Sequence, residues 1–362
     1  KLLILAAATL CASFAVCAET PPIPIPGYGA QGAGIARWRV GQGPGLDAAM
    51  AIHVMSDERV VLGGVSMSGF NSELSPYRPS FMRLLPDGQL DTTFGQGGRG
   101  SFVVDGVDAS EMLSMFEDPA GDLVYVVFTE QLTGVVGKVT TSGVPVATFG
   151  QNGRRAIGGG VFIDPAIAFI PRRLVNLSSG RMLVSGFAGT NQSYCGAIAR
   201  LTAQGNFDTT FGTNGTVCLA PPGNGASAAG ANDVVELADG SLLSVGGTIR
   251  AGGAAVDMYV ARLSSAGVLD TSFGSDGSGF AFVGFDAGNA LNDEAFAVAI
   301  DQQGRIVIGG HANVDVPMQD FDMAVARLTP NGLLDTTFGN SGRVLLSEQL
   351  PGSHLQSVQG QQ

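Results

Sequence analysis

The sequence predicts an all-β fold made of repeated four-stranded antiparallel units, and three observations predict it. A Phe-Gly turn returns five times, with Phe94, Phe149, Phe211, Phe273 and Phe338 spaced 55, 62, 62 and 65 residues apart. Between the turns, apolar runs of four to eight residues are rich in Val, Ile and Leu and bounded by Gly, Pro, Asn or Asp. That is the pattern of short strands and hairpins, and no run has the length of a helix. Glycine supplies 54 of the 362 residues without a collagen period, as a chain of many tight turns requires.

The last copy shows the order of elements best. Residues 295–301 read as a first strand, turned by Gln303 and Gly304, and 305–310 (RIVIGG) as a second. After a variable loop, 323–328 (MAVARL) reads as a third strand. Pro330, Asn331 and Gly332 turn the chain into the segment Asp335-Thr336-Thr337-Phe338-Gly339, and 343–346 is a fourth strand. Four consecutive short antiparallel strands per unit, repeated, predict a β-propeller-like ring of about five to six blades. A parallel β-helix would repeat at a shorter period, and a sandwich would not repeat its turns at a fixed interval.

The run VARLTPNGLLDTTFGNSGRVLL, residues 325–346, resembles the bacterial delta-60 repeat of exported and surface proteins. The resemblance extends over residues 25–347. It implies a β-propeller-like fold and export, and it implies no catalytic residues. The copy ending at Phe149 departs from the pattern, with Val146 in place of the turn Asp and a shorter second loop.

The chain divides into three parts. Residues 1–18 read as a signal peptide: Lys1, an apolar run over 2–16, and the small-residue site Val16-Cys17-Ala18. Residues 19–347 hold the repeats. They open with Tyr28-Gly29-Ala30-Gln31-Gly32, a degenerate copy of the turn 66 residues before Phe94, and a strand near 35–40. Residues 348–362 are the start of a further repeat or a tail, with 354–362 resembling a first strand.

Net charge is −12, and −13 once Lys1 leaves with the leader. So acidic a surface disfavours nucleic acid and anionic membranes as partners. No later stretch is long and apolar enough to span a bilayer. Cys11 and Cys17 leave with the leader, so Cys195 and Cys218 remain, on the third and fourth strands of one unit. Neighbouring antiparallel strands bring such residues within disulfide range, and we expect the bridge.

The turn acids Asp91, Asp208, Asp270 and Asp335 have two readings. One is a ring of carboxylates for cations. The other is structural, with Asp capping the turn and Phe filling the groove between units. Eight residues before each lies a third-strand cation, Arg83, Arg200, Arg262 or Arg327, and Lys138 holds that place where Val146 replaces the acid. We expect a bidentate Arg–Asp pair inside each unit and no such partner for Lys138 unless another acid replaces Val146. The other reading is a cation that snorkels at a solvated strand end.

The loops between second and third strands vary most: 67–80, 188–194, 249–256 and 311–322. Loops on a rigid scaffold are where binding concentrates, and Phe70, Tyr77, Arg78, Tyr194 and His311 are the binding candidates there. Length drift without selection explains the same variation. Asp315, Asp320 and Asp322 in the last of these loops, and the acids of 286–294, could serve calcium or simply be solvated. No other cofactor is suggested. His53, His311 and His354 share no repeat position and no metal-ligand spacing, and no nucleophile–base–acid set or phosphate loop is visible.

Three functions remain. The first is a non-catalytic binding or structural scaffold with a protein or glycan partner. The second is a glycan-acting hydrolase or lyase, which needs a carboxylate pair about 5 to 10 Å apart in a pocket. The third is a repeat module of a longer adhesin.

Overall fold

The computed structural model describes residues 47–67, 77–101, 110–129, 133–158, 168–190, 193–221, 230–249, 256–285, 292–315 and 320–346. They form five four-stranded antiparallel sheets, each in the simple order first, second, third, fourth. Unit one holds β1 (Asp47–Val54), β2 (Val60–Met67), β3 (Tyr77–Leu84) and β4 (Arg99–Ser101). Unit two holds β5 (Ser110–Glu117), β6 (Leu123–Thr129), β7 (Gly134–Val139) and β8 (Arg154–Ile157). Unit three holds β9 (Ala168–Asn176), β10 (Met182–Thr190), β11 (Ser193–Leu201) and β12 (Thr216–Leu219). Unit four holds β13 (Asp233–Glu236), β14 (Leu242–Ile249), β15 (Val256–Leu263) and β16 (Phe280–Val283). Unit five holds β17 (Asp293–Ile300), β18 (Ile306–Asp315), β19 (Asp320–Leu328) and β20 (Arg343–Leu346).

The sequence explains which strands lie inside. Second and third strands such as β6, β7 and β14 are near-continuous apolar runs, and they are buried along almost their whole length. Fourth strands are short, and β8 and β20 are half-exposed, as edge strands should be. The first strand of each following unit packs on the sheet before it. A bulge shifts its register in β1, β5 and β17, at Ala49/Ala51, Met112/Ser114 and Ala295/Ala297.

The core is therefore divided among the junctions. Phe81, Phe94, Met112, Met115 and Tyr125 fill the first junction, and three similar clusters fill the next three. Phe81 meets Tyr125 edge-on at 5.1 Å across that first junction. Phe94, Phe149, Phe211 and Phe273 are at most 2% exposed, each at its own junction. Phe338 departs from the expectation: it is only half-buried, because no described unit follows to cover it.

Three of the four variable loops are shorter than the sequence suggested, and the one at 249–256 keeps its bounds. β18 runs on to Asp315 and β19 begins at Asp320, so His311, Asp315, Asp320 and Asp322 stand on a hairpin and not in a loop. Asp315 opposes Asp320, and Asp322 opposes Ala312. Antiparallel pairing continues past the Gly-Gly pair because each further residue still finds a ladder partner. The leader, the turn at 28–32, the strand near 35–40, Phe70, Asp286 and the tail lie outside the described residues.

Candidate functional site: the repeated turn and the hairpin ends

Each turn carboxylate is held on both oxygens. Oδ1 of Asp91 accepts the backbone N–H of Thr93 at 3.1 Å and its hydroxyl at 2.6 Å, the signature of an Asx turn. Asp208, Asp270 and Asp335 do the same with Thr210, Ser272 and Thr337. Oδ2 takes Nε of the third-strand arginine: Arg83–Asp91, Arg200–Asp208 and Arg327–Asp335 at 2.8 Å, and Arg262–Asp270 at 3.5 Å.

The pairs are not bidentate, since the arginine forks elsewhere. In units one, three and five Nη2 donates to the turn threonine, and the guanidinium lies 4.5 to 4.6 Å over the turn phenylalanine. In units one and three Nη1 reaches the following unit, at the carbonyls of Thr141 and Ser265. One arginine thus clamps its own turn and the next sheet.

Lys138 does find acids, although Val146 is none. Asp118 and Asp122, from the hairpin joining the first two strands, lie at 2.5 and 3.1 Å. Burial lowers the Lys138 pKa, but these two carboxylates outweigh it and the net shift is upward.

A second arginine joins the turn in the odd units. Arg59, Arg181 and Arg305, at the start of the second strands, approach Asp91, Asp208 and Asp335 at 3.2, 2.7 and 3.5 Å. Burial pushes the Asp91 carboxyl up, yet the Thr93 hydrogen bonds and the two arginines prevail and hold its pKa at about 2. Asp208, Asp270 and Asp335 are shifted down as well. Between units three and four the turn opens onto a cavity of about 430 Å³ lined by Arg181, Arg200, Thr210 and Glu236. Glu236 there accepts the Ser178 N–H at 2.6 Å, as Glu117 accepts that of Ser56 at the first junction.

Sequence reasoning missed Asp233, a partly buried acid on a first strand whose side chain is 14% exposed. Asp233 accepts the N–H groups of Val234 at 2.9 Å and of Val298, in the next unit, at 3.1 Å. Burial raises its pKa against the opposing pull of Arg173, 3.5 Å away, and of both N–H groups. Beside it the Asn232 amide donates to Glu294 and to the Ala295 carbonyl, both at 2.8 Å. Asp233 stands where other units carry Ala51, Ser114, Arg173 or Ala297, so no recurring acid marks the position.

The binding candidates are dispersed. Tyr77 and Arg78 begin β3, and Tyr194 is exposed at the end of the β10–β11 hairpin. His311 lies instead on the face of sheet five, its ring 5.0 Å from Phe296 and 4.4 Å from Phe321. Burial lowers its pKa, with Glu294 opposing. Among the described residues no three His, Cys, Asp or Glu side chains gather to hold a metal ion. Cys195 and Cys218 are bridged, with Cα atoms 5.5 Å apart. The bridge is diagonal, since Cys218 opposes Ala197 in the ladder.

Among the described residues no helix is long and apolar enough to cross a membrane. No curated protein matches the sequence. Among solved structures, the fold is similar to a protein of unknown function from Dyadobacter fermentans DSM 18053, at 10% identity and TM-score 0.44, over 77% of this chain and 75% of that one. It is also similar to a putative exo-β-1,3-galactanase from Bifidobacterium bifidum s17, at 8% identity and TM-score 0.43, over 84% and 94%. A protein of unknown function from Bacteroides caccae is similar at 12% identity and TM-score 0.38, over 82% and 81%. Four stretches, 56–94, 177–211, 237–273 and 304–338, match the family model described as a domain of unknown function (DUF5122) beta-propeller, and with five four-stranded antiparallel sheets the chain is a β-propeller repeat protein.

Proposed function

We propose that this chain is a non-catalytic binding or structural scaffold working outside the cytoplasm, with a protein or glycan partner engaged at the ends of the second-to-third-strand hairpins. The observation that supports this reading is the fate of the recurring charges. Every turn carboxylate is shifted down and held by an arginine and a Thr or Ser, so none is poised to donate a proton. What varies between units is the hairpin end, where Tyr194 stands exposed. The Cys195–Cys218 bridge supports an oxidising compartment, and so does the resemblance to delta-60 repeats of exported proteins.

The test is a panel of glycans and short peptides presented to the immobilised protein. We expect at least one class to be retained, and Tyr194→Ala to weaken it about tenfold, the 1.4 kcal/mol of one good contact. Conversion of any glycan to shorter products, abolished by Asp233→Asn, would replace the scaffold reading with the hydrolase or lyase.

A further inference from the structure

Each of the first four sheets has one face covered by the first strand of the next unit. At the first junction the cover is centred on Gly63, where a β-carbon would run into Sδ of Met112 and Cε of Met115. Those methionines are three residues apart, yet both point at Gly63, because β5 is bulged between Met112 and Ser114. The same inward pair, three apart, is Ala231 and Val234 in unit four, and both are buried.

Gly309 holds the place of Gly63 in unit five, and a β-carbon there would meet no atom within 4 Å. Around it, positions that are sealed one unit earlier are open. Met323 is 59% exposed where Met258 is 0%, and Leu346 is 49% exposed where Val283 is 0%. Phe296 and Phe321 flank His311 on the same open face. It is an interface of the kind already made four times, without its occupant among the described residues.

We propose that the chain's own segment 354–361 is that occupant, docking on sheet five as a bulged first strand with Leu355 and Val358 seated over Gly309. These two are the apolar residues of the segment and are three apart, the spacing that a bulged first strand needs. Their neighbours Gln356, Ser357 and Gln359 are polar. Eight residues separate Leu346 from Leu355. At about 3.3 to 3.6 Å per residue they reach roughly 26 to 29 Å, ample for a step of about 10 Å between packed sheets.

The experiment measures peroxide oxidation of Met323 by peptide mass in the full chain. With Leu355→Asp/Val358→Asp, Met323 should oxidise about tenfold faster or more than in the unaltered chain, as a local opening requires. The unaltered rate should not depend on protein concentration. A second pair of variants does not rest on protection. Gly309→Cys with Leu355→Cys should form an intramolecular bridge in air, and Gly309→Cys with Gln356→Cys, which points away, should not. Equal Met323 rates with and without the Asp substitutions, or no preference between the two cysteine pairs, would overturn the proposal. Protection that grows with protein concentration would overturn it too, giving the face to β1 of a second copy, whose Ile52 is exposed.

Discussion

Gly143 of the second unit lies against the ring of Phe94 of the first, and the carbonyl just before it, on Ser142, accepts the N–H of Gly95 at 2.8 Å. The contact recurs at the next three junctions, as Gly205 on Phe149, Gly267 on Phe211 and Gly332 on Phe273. Each has its own hydrogen bond, to the carbonyls of Gln204, Ala266 and Asn331 at 2.7 to 2.9 Å. The first four Phe-Gly turns are thus each sealed by a glycine from the following unit.

Gly205 and Gly180 form a controlled pair. Both have positive φ, 75° and 73°, but a β-carbon at Gly205 would stand 2.6 Å from Phe149 while one at Gly180 would meet nothing within 4 Å. Gly180→Ala should cost about 1 kcal/mol, the strain of a left-handed alanine. Gly205→Ala should cost about 2 to 4 kcal/mol, because overpacking is added. Urea denaturation compares them, and equal costs would remove the sealing role.

Glu58 occupies a turn position where the other units carry Gly121, Gly180, Gly240 and Gly304, and it has φ 68°. Its side chain is exposed. Glu58→Gly should stabilise the protein by about 1 kcal/mol through relief of that strain. A midpoint that falls in thermal or urea unfolding would show that the Glu58 side chain contributes more than the strain costs.

Phe211→Ala should cost about 3 to 5 kcal/mol, as for other buried phenylalanines. Phe338→Ala should cost clearly less, since that ring is half-buried. Denaturant midpoints for the two variants decide it. Equal losses would mean that a further unit covers Phe338 as fully as Gly267 covers Phe211.

Asp91 links stability to acid. Its folded pKa, about 2, lies below the ordinary 3.8, so its contribution is complete above about pH 4 and is lost as pH falls through about 2. Asp91→Asn should therefore cost about 2 kcal/mol at neutral pH, and that difference should shrink between pH 4 and 2. Unfolding curves across that range test it; a pH-independent difference would show that the lost hydrogen bonds, and not the charge, account for the cost.

Reduction of the Cys195–Cys218 bridge, which closes a span of 23 residues, should destabilise the chain by about 3 kcal/mol. Denaturation with and without reductant measures the loss. An unchanged midpoint would show that the ladder between β11 and β12 fixes both cysteines unaided.

The architecture was legible because it recurs: five turns at near-equal spacing placed all five sheets, and the eight-residue offset from arginine to Asp placed four ion pairs. What stayed hidden was what one unit does to the next. Lys138 finds Asp118 and Asp122 on a different hairpin, and no feature of its own turn announces them. Arg83 divides its donors among Asp91, Thr93 and Thr141, so counting partners inside one unit misled the expectation of a bidentate pair. His311 was placed in a loop because strand pairing continues beyond the apolar run that marks a strand in sequence. Asp233 was missed because it follows no repeat.

The sealing glycines also give the molecule a direction. Phe94 waits for Gly143, Phe149 for Gly205, Phe211 for Gly267 and Phe273 for Gly332, always a residue later in the chain. At a synthesis rate of about 5 to 20 residues per second, the sealing glycine follows the end of each unit by roughly 2 to 10 s. A chain cut after any of the first four units would keep one aromatic groove unsealed at its end. Folding that proceeded from the N-terminus would therefore close the junctions one at a time, each waiting for the unit after it.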